Sequence, residues 1–197
     1  MGQVHGAGRS VRAQRTRAEL VRAAARQFDR DGFEGASLQR ISGEAQTSMG
    51  ALTFHFATKA GLADEVQAQA RAVVQALVAA AALESEGPLD AARLMTVGLV
   101  GVLERDERVR GAARLLRERA GEGPAWVGEW RAALRAQLEL AARAGQLAPR
   151  SSAAEVAVVV QCLMVGIEAA VRGRGGAARP LQSARLWELL ARGIAAP

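Results

Sequence analysis

Behind Thr16, the apolar positions Leu20, Val21, Ala24, Ala25 and Phe28 recur at intervals of three and four, which is the stripe of an amphipathic helix. Thr16 followed by Glu19 has capping-box spacing, so the pattern starts this helix there and runs it to about Arg30. Asp31-Gly32 stops it, and Phe33 beyond the glycine is placed to fold back on the stripe. Ser37 offers an N-cap to a short second helix, Leu38 to Ala45, with Leu38, Ile41 and Ala45 facing inward. Gln46-Thr47-Ser48 then connects to a third helix, Met49 to Phe54, whose Ala51 and Leu52 can pack on the second. Helix, three-residue turn, short helix is the order of a helix-turn-helix, in which the later helix enters the major groove.

From Lys59 onward the pattern lengthens. It predicts helices from Lys59 to about Leu83 (carrying Leu62, Val66, Ala70, Val73, Leu77 and Val78), Leu89 to Leu103 with Pro88 in its first turn, and Arg108 to Arg119. Three more run from Pro124 to about Ala144, from Ser152 to Arg172 behind a second capping box (Ser152 and Glu155), and from Leu181 to Gly193. Gly87-Pro88, Gly121 to Pro124, Gly145 to Ser151 and Gly173 to Pro180 are the breaks. About nine helices and no strand make an all-α protein: an N-terminal three-helix helix-turn-helix domain followed by a C-terminal helical bundle. No repeat of 20 to 50 residues argues for a solenoid. The apolar stretch Ala153 to Val171 is interrupted by Glu155, Gln161 and Glu168, so it reads as a buried helix and no membrane partner is expected.

Composition agrees with helices. Alanine dominates, aromatics are 4% of residues and tyrosine is absent, which disfavours strands. The single cysteine, Cys162, cannot form an internal disulfide or a zinc site; it reads as a small core residue in a chain suited to the reducing cytoplasm. Charge divides unevenly. Residues 1–60 hold nine of the 26 basic and five of the 20 acidic side chains, so they carry +4 of the net +6. A basic segment joined to a near-neutral remainder is the electrostatic footprint of a nucleic-acid-binding module. Residues 1–14 contain Arg9 and Arg12 and no acid, and the first eight read as a mobile basic arm. An enzyme is not expected: His55 lies between Phe54 and Phe56 without a nucleophile or acid partner, the other histidine is His5, and Gly173 to Gly176 lacks the strand and Lys-Ser/Thr of a phosphate loop. Neither a metal nor a cofactor is implied.

The segment RTRAELVRAAARQFDRDGFEGASLQRISGEAQTSMGALTFHFATKAGLADEV, Arg15 to Val66, resembles the DNA-binding domain of the TetR family of transcriptional repressors. FDRDGF and GALTFHFATK, Gly50 to Lys59, carry the match most specifically. Together with EWR (Glu129 to Arg131) and LWELLARGI (Leu186 to Ile194), they look most like the γ-butyrolactone autoregulator receptors and pseudo-receptors of antibiotic-producing actinobacteria. The resemblance implies a cytoplasmic homodimer, formed through the last two helices, that binds double-stranded palindromic operator DNA. A small hydrophobic effector, a butyrolactone-like signal or an antibiotic, would release it. Residues 9–58 would read DNA, and residues 59–197 would bind ligand and dimerise.

By matching positions, Thr47, Ser48, Met49 and Gly50 would open the recognition helix at the groove, and Thr53, His55 and Lys59 would lie along phosphates. Ser37, Arg15 and Arg17 would add backbone contacts. The chain departs from the family pattern at Gln46, where a turn glycine is usual, at Met49, usually lysine, and at Thr53, usually tyrosine. These departures support an alternative, an effector-binding or partner-binding protein of the same fold whose DNA reading is impaired. In the bundle, Trp130 is the expected ligand wall, with Trp126, Val127, Met95, Leu99, Gln161 and Met164 as further lining.

Overall fold

The structure is a computed structural model that describes residues 4–119, 126–173 and 183–196, with side chains over 10–119, 126–171 and 183–196. Among the described residues nine helices follow one another: α1 Val4–Gly35, α2 Leu38–Glu44, α3 Met49–His55, α4 Lys59–Glu84, α5 Pro88–Arg105, α6 Glu107–Glu118, α7 Trp126–Arg143, α8 Ala153–Gly173 and α9 Ser183–Ile194. No strand is formed among them; Leu147 and Ala195 make one isolated antiparallel bridge. The helices group into two compact units, Met1–Arg71 with Asp106–Pro124, and Ala72–Arg105 with Ala125–Pro197. By packing, the first unit thus reaches beyond residue 58 into α4 and takes in α6. The expected breaks at Gly121 to Pro124 and over residues 174–180 lie outside the described residues.

In the first unit the periodic stripe of α1 is the core: Leu20, Val21, Ala24 and Phe28 are fully buried, with Ile41, Leu52, Leu62 and Val66 from α2, α3 and α4. The third side of this core is α6. Gly111 on α6 lies against the Ala25 backbone of α1, and the flanking Ala23, Ala24, Ala112 and Ala113 are buried, small residues that let two helix backbones come together. A Cβ on Gly111 would sit 2.5 Å from the Ala25 carbonyl oxygen. Polar contacts fix the register: Arg110 pairs with Asp29 at 2.7 Å, and Arg26 with Glu107 at 3.0 Å. Arg114 donates to the carbonyls of Asp29 and Arg30 at 2.8 and 2.7 Å, next to the kink at Gly32.

Two expectations about α1 change. Its backbone is helical from Val4, so Thr16 and Glu19 lie mid-helix, and Glu19 pairs with Arg15 at 3.0 Å instead of closing a capping box. No proline interrupts residues 4–15, and extending an existing helix adds one hydrogen bond per residue fixed, whereas a new start needs a costly nucleus. The arm expected over residues 1–8 is therefore helical from Val4, while residues 1–3 lie outside the described residues. Where the sequence predicts a stop, α1 has a kink inside a span that runs on to Gly35: Gly32 takes the non-helical φ 76°, ψ −178°, and Phe33 returns to stack on Phe28 with ring centroids 6.0 Å apart. The Glu118 carboxylate of α6 fills the space a Gly32 side chain would need and accepts the Phe33 N–H at 2.6 Å.

In the second unit α7 buries Trp126, Trp130, Leu134, Leu138 and Ala141 along one face, packed with α5 and α8. The second capping box forms as expected, with the Ser152 hydroxyl and N–H both donating to Glu155 at 2.7 and 3.1 Å. Against expectation, α8 is only half-buried. Val156, Val160, Met164 and Ile167 face inward, but Val158, Val159 and Val165 are exposed, and so is Cys162, which does not pack in the core. A nearly continuous apolar run gives a helix two apolar faces, and one chain covers only one of them. By length and composition alone, α4 and Ala153–Val171 are each apolar enough to cross a membrane.

Across the first unit, Arg17 forms a bidentate pair with Glu65 at 2.8 and 2.6 Å and lies 5.0 Å above the Phe56 ring. Arg17 holds the Glu65 carboxyl below the usual carboxylate range. A group with a depressed folded-state pKa adds stability above its unfolded value and loses it as pH falls through the folded one. Glu65→Gln should therefore cost about 1 kcal/mol at pH 7, and the difference from wild type should narrow and close as pH falls below the ordinary glutamate range, followed by urea unfolding against pH. A gap that persisted in acid would contradict this. Gly111→Ala should destabilise by about 1–3 kcal/mol because the obstructing atom is backbone, whereas Gly43→Ala, with nothing within 4 Å, should gain about 0.5–1 kcal/mol in the same assay. Equal responses of the two variants would deny the close helix contact.

Candidate nucleic-acid interface and effector site

The corner between α2 and α3 is built from local hydrogen bonds. Ser37 caps α2 by accepting the Arg40 N–H at 3.2 Å, and Ser48 caps α3 by accepting the Ala51 N–H at 3.1 Å. The turn closes with Gln46 N–H to the Gly43 carbonyl and Thr47 N–H to the Ser42 carbonyl, both at 3.0 Å. This closure puts Gln46 at φ 52°, the one non-glycine residue in the left-handed region among those described. An L side chain there costs roughly 1–2 kcal/mol, so the missing glycine has a conformational consequence. Leu52 on the inner side of α3 is fully buried and anchors the helix.

The outer side of α3 is free. Met49, Gly50, Thr53 and Phe54 are exposed, and a Cβ on Gly50 would have no neighbour closer than 3.9 Å. The Thr53 hydroxyl donates to the carbonyls of Met49 and Gly50 at 3.0 and 3.1 Å, and Met49 sulfur accepts from Ser42 at 3.3 Å. His55 is half-buried, edge-on to Phe54 with centroids 5.2 Å apart. Thr47 is half-buried at the turn and Ser48 is exposed. Arg15 is exposed with its i,i+4 partner Glu19. Two expected phosphate ligands are engaged internally: Arg17 with Glu65, and Lys59, whose ammonium donates to the Ala36 carbonyl at 3.1 Å and lies 4.5 Å over the Phe33 ring.

Phe54 is the residue the sequence reading passed over except as a neighbour of His55. It is 81% exposed, an unusual position for phenylalanine. The signal was available: at 100° per residue, position 54 lies on the opposite side of α3 from the buried Leu52 and Phe56.

A groove of about 870 Å³ adjoins the turn. Val11, Arg12, Arg15, Thr16, Glu19, Arg22 and Arg26 line it from α1, and Glu44, Ala45, Gln46 and Thr47 from the corner. Arg26 is held by Glu44 and Glu107, whereas Arg12, Arg15 and Arg22 are exposed. Burial works to raise the Glu44 pKa, but hydrogen bonds from Arg26 and Gln27 outweigh it and keep the carboxyl below its ordinary range.

In the second unit the expected effector residues come together in part. Trp130 is 2% exposed, and its indole N–H donates to the Met95 carbonyl at 3.4 Å. Met95, Leu99, Trp126 and Met164 are also buried, on α5, α7 and α8, which pack on one another. Val127 and Gln161 are half-exposed.

Residues 20–66 match the family described as bacterial regulatory proteins, tetR family. The A-factor receptor protein of Streptomyces griseus is 29% identical over 192 residues, 96% of this chain and 67% of that protein. The TetR family protein CprB of Streptomyces coelicolor, solved in complex with its biological operator sequence, is 30% identical with a TM-score of 0.77, over 93% of this chain and 90% of that one. A solved gamma-butyrolactone receptor, ArpA-like, is 25% identical with a TM-score of 0.77, over 94% and 90%. With its capped helix-turn-helix and the helical unit that follows, the chain belongs to the TetR family of bacterial regulatory proteins and is related to the γ-butyrolactone receptors.

Proposed function

We propose that this protein is a cytoplasmic, ligand-responsive repressor that binds a palindromic operator as a homodimer and is released by a small hydrophobic effector, a butyrolactone-like signal or an antibiotic, with secondary metabolism under its control. The observation that carries the reading is the open outer side of α3, joined to a chain 30% identical to a protein solved on its operator. Thr47, Ser48, Met49 and Gly50 bring the start of α3 to the major groove, where Gly50 lets the backbone approach base edges. Met49 and Phe54 suit thymine methyl groups. Thr53, His55, Ser37 and Arg15 lie along the phosphates, and Lys59 has a further ammonium donor to offer. Arg17 contributes by holding α1 to α4.

The exposed Val158, Val159 and Val165 of α8 and Leu189 of α9 supply apolar area for a two-fold interface through the last two helices. Trp130, Trp126, Met95, Leu99 and Met164 form the walls around the effector, with Val127 and Gln161 at its edge. Binding there acts on α3 only by favouring one of two states, and α4 and α6 are the elements through which the chain connects the two units. A second reading, an effector-binding protein with impaired DNA reading, is favoured by the left-handed Gln46 and by the Thr53 hydroxyl turned onto its own helix.

The effector site is tested by release from labelled upstream DNA on adding γ-butyrolactones with alkyl chains of graded length. Wild type should be released, and Trp130→Ala should hold DNA with unchanged affinity but lose release at least tenfold. Because emptying a buried tryptophan site costs about 3–5 kcal/mol, Trp130→Phe serves as the partner variant that keeps most of the ring and the fold. Release undiminished in both variants would remove Trp130 from the site.

A further inference from the structure

We infer that Met49 is a modification site: its thioether takes one oxygen from a peroxide on the side left open toward DNA, and the sulfoxide weakens operator binding until a reductase removes it. The inference rests on the operator-binding reading and gives that same surface a second control, separate from the effector in the other unit. Among the described methionines Met49 is 42% exposed, whereas Met95 and Met164 are 1% and 7% exposed. A peroxide has to touch the sulfur to oxidise it, so the two core methionines are protected while the chain is folded and Met49 is not.

The sulfur has two unlike sides. Ser42, buried in α2, places its hydroxyl oxygen 3.3 Å from the Met49 sulfur and 2.9 Å from the Gln39 carbonyl oxygen. One hydroxyl proton serves these two acceptors, and whichever of them holds it, the Ser42 oxygen covers one side of the sulfur. The outer side of α3 offers no such cover. Gly50 has no side chain, and the Thr53 hydroxyl is turned back onto the carbonyls of Met49 and Gly50. A thioether sulfur carries two lone pairs, so the one directed away from Ser42 is the one an incoming oxidant meets.

That lone pair attacks one oxygen of hydrogen peroxide. The sulfur–oxygen bond forms as the oxygen–oxygen bond breaks; sulfur gives up two electrons, and the departing hydroxide takes the proton of the transferred oxygen and leaves as water. Attack from one side yields one of the two sulfoxide epimers in excess. The new oxygen is a strong acceptor at a position whose apolar side chain suits a thymine methyl group. It has to shed water on docking, and the groove edges of guanine and the thymine O4 offer it only further acceptors. Oxidation therefore turns a favourable contact into a costly one, once in each half-site of the homodimer, while the core of the domain is untouched.

The test uses the full chain carrying Cys162→Ser, so that the exposed thiol takes no part, alone and with Met49→Leu or Ser42→Ala added. Each protein is treated with millimolar hydrogen peroxide, mapped by peptide mass spectrometry, and titrated before and after treatment onto a labelled fragment of its own upstream region and onto an unrelated duplex. Met49 should gain one oxygen about tenfold faster than Met95 or Met164, and upstream DNA bound beforehand should slow the gain. Oxidation should lower affinity for the upstream fragment about tenfold, the scale of one lost base contact, and the ratio of treated to untreated affinity in Met49→Leu should stay near one. Of two methionine sulfoxide reductases with opposite epimer specificity, one should restore the affinity and the other should not, and Ser42→Ala should lose that preference. Oxidation of Met49 no faster than of the core methionines, unchanged affinity after it, an equal fall in Met49→Leu, or equal repair by both reductases would overturn the proposal. If the untreated protein does not prefer the upstream fragment over the unrelated duplex, the operator reading falls and the effect on DNA falls with it. The peptide maps and the reductase preference then decide the modification site by themselves: selective, one-sided oxidation supports it, and its absence overturns it.

Discussion

The close packing of α6 on α1 is the constraint from which the first unit takes its form. Gly111 lies where any side chain would strike the Ala25 carbonyl, and the alanines on both helices remove the bulk that would hold the axes apart. Arg110, Arg114 and Glu118 then spend their charges on the end of α1 and on the Gly32-Phe33 corner. A helix reached by the chain only after two longer ones thus becomes part of the N-terminal core. Without it the stripe of α1 would have α2, α3 and α4 to cover it and one side left open.

That corner determines what is free to act. Phe33, fixed between Phe28, Lys59 and Arg119, draws the Lys59 ammonium onto the backbone carbonyls that follow α1. Arg17 is drawn in the same way to Glu65 and Phe56. Two cations that the family pattern assigns to phosphates are therefore parts of the frame. In the proposed complex, DNA meets the outer face of α3 with Ser37 and Arg15 beside it, and Lys59 only through the ammonium donor its internal contacts leave over. The division of labour follows from geometry, since a guanidinium in a bidentate pair with a carboxylate gives up a neutralised, well-hydrogen-bonded partner to take another.

Much of this was legible in the sequence, for reasons that are local. Ser37 and Ser152 cap helices where their side-chain oxygens reach an N–H three residues on, and Gly32 kinks α1 where the sequence predicts a break, because glycine tolerates φ 76° there; the cap at Ser48 was read only as part of a connection. The family resemblance supplied the expected roles of Thr47 to Gly50. The start of α1 was missed because Thr16 and Glu19 mimic a cap that a helix already running has no need to form. The half-exposure of α8 and of Cys162 was missed because periodicity reports apolar faces and not how many neighbours one chain brings to them. Internal engagement of Arg17 and Lys59 depends on partners 48 and 23 residues away in sequence, a distance at which spacing carries no signal.

The account stands on one claim, that α3 with its neighbours reads a particular DNA sequence despite Gln46, Met49 and Thr53. Fluorescence anisotropy of the protein titrated onto a labelled fragment of its own upstream region, beside an unrelated duplex, measures this directly. The account predicts saturable binding roughly a thousandfold or more tighter on the upstream fragment at physiological salt. Weak binding of equal strength on the two duplexes would contradict it and leave the effector-binding reading in its place.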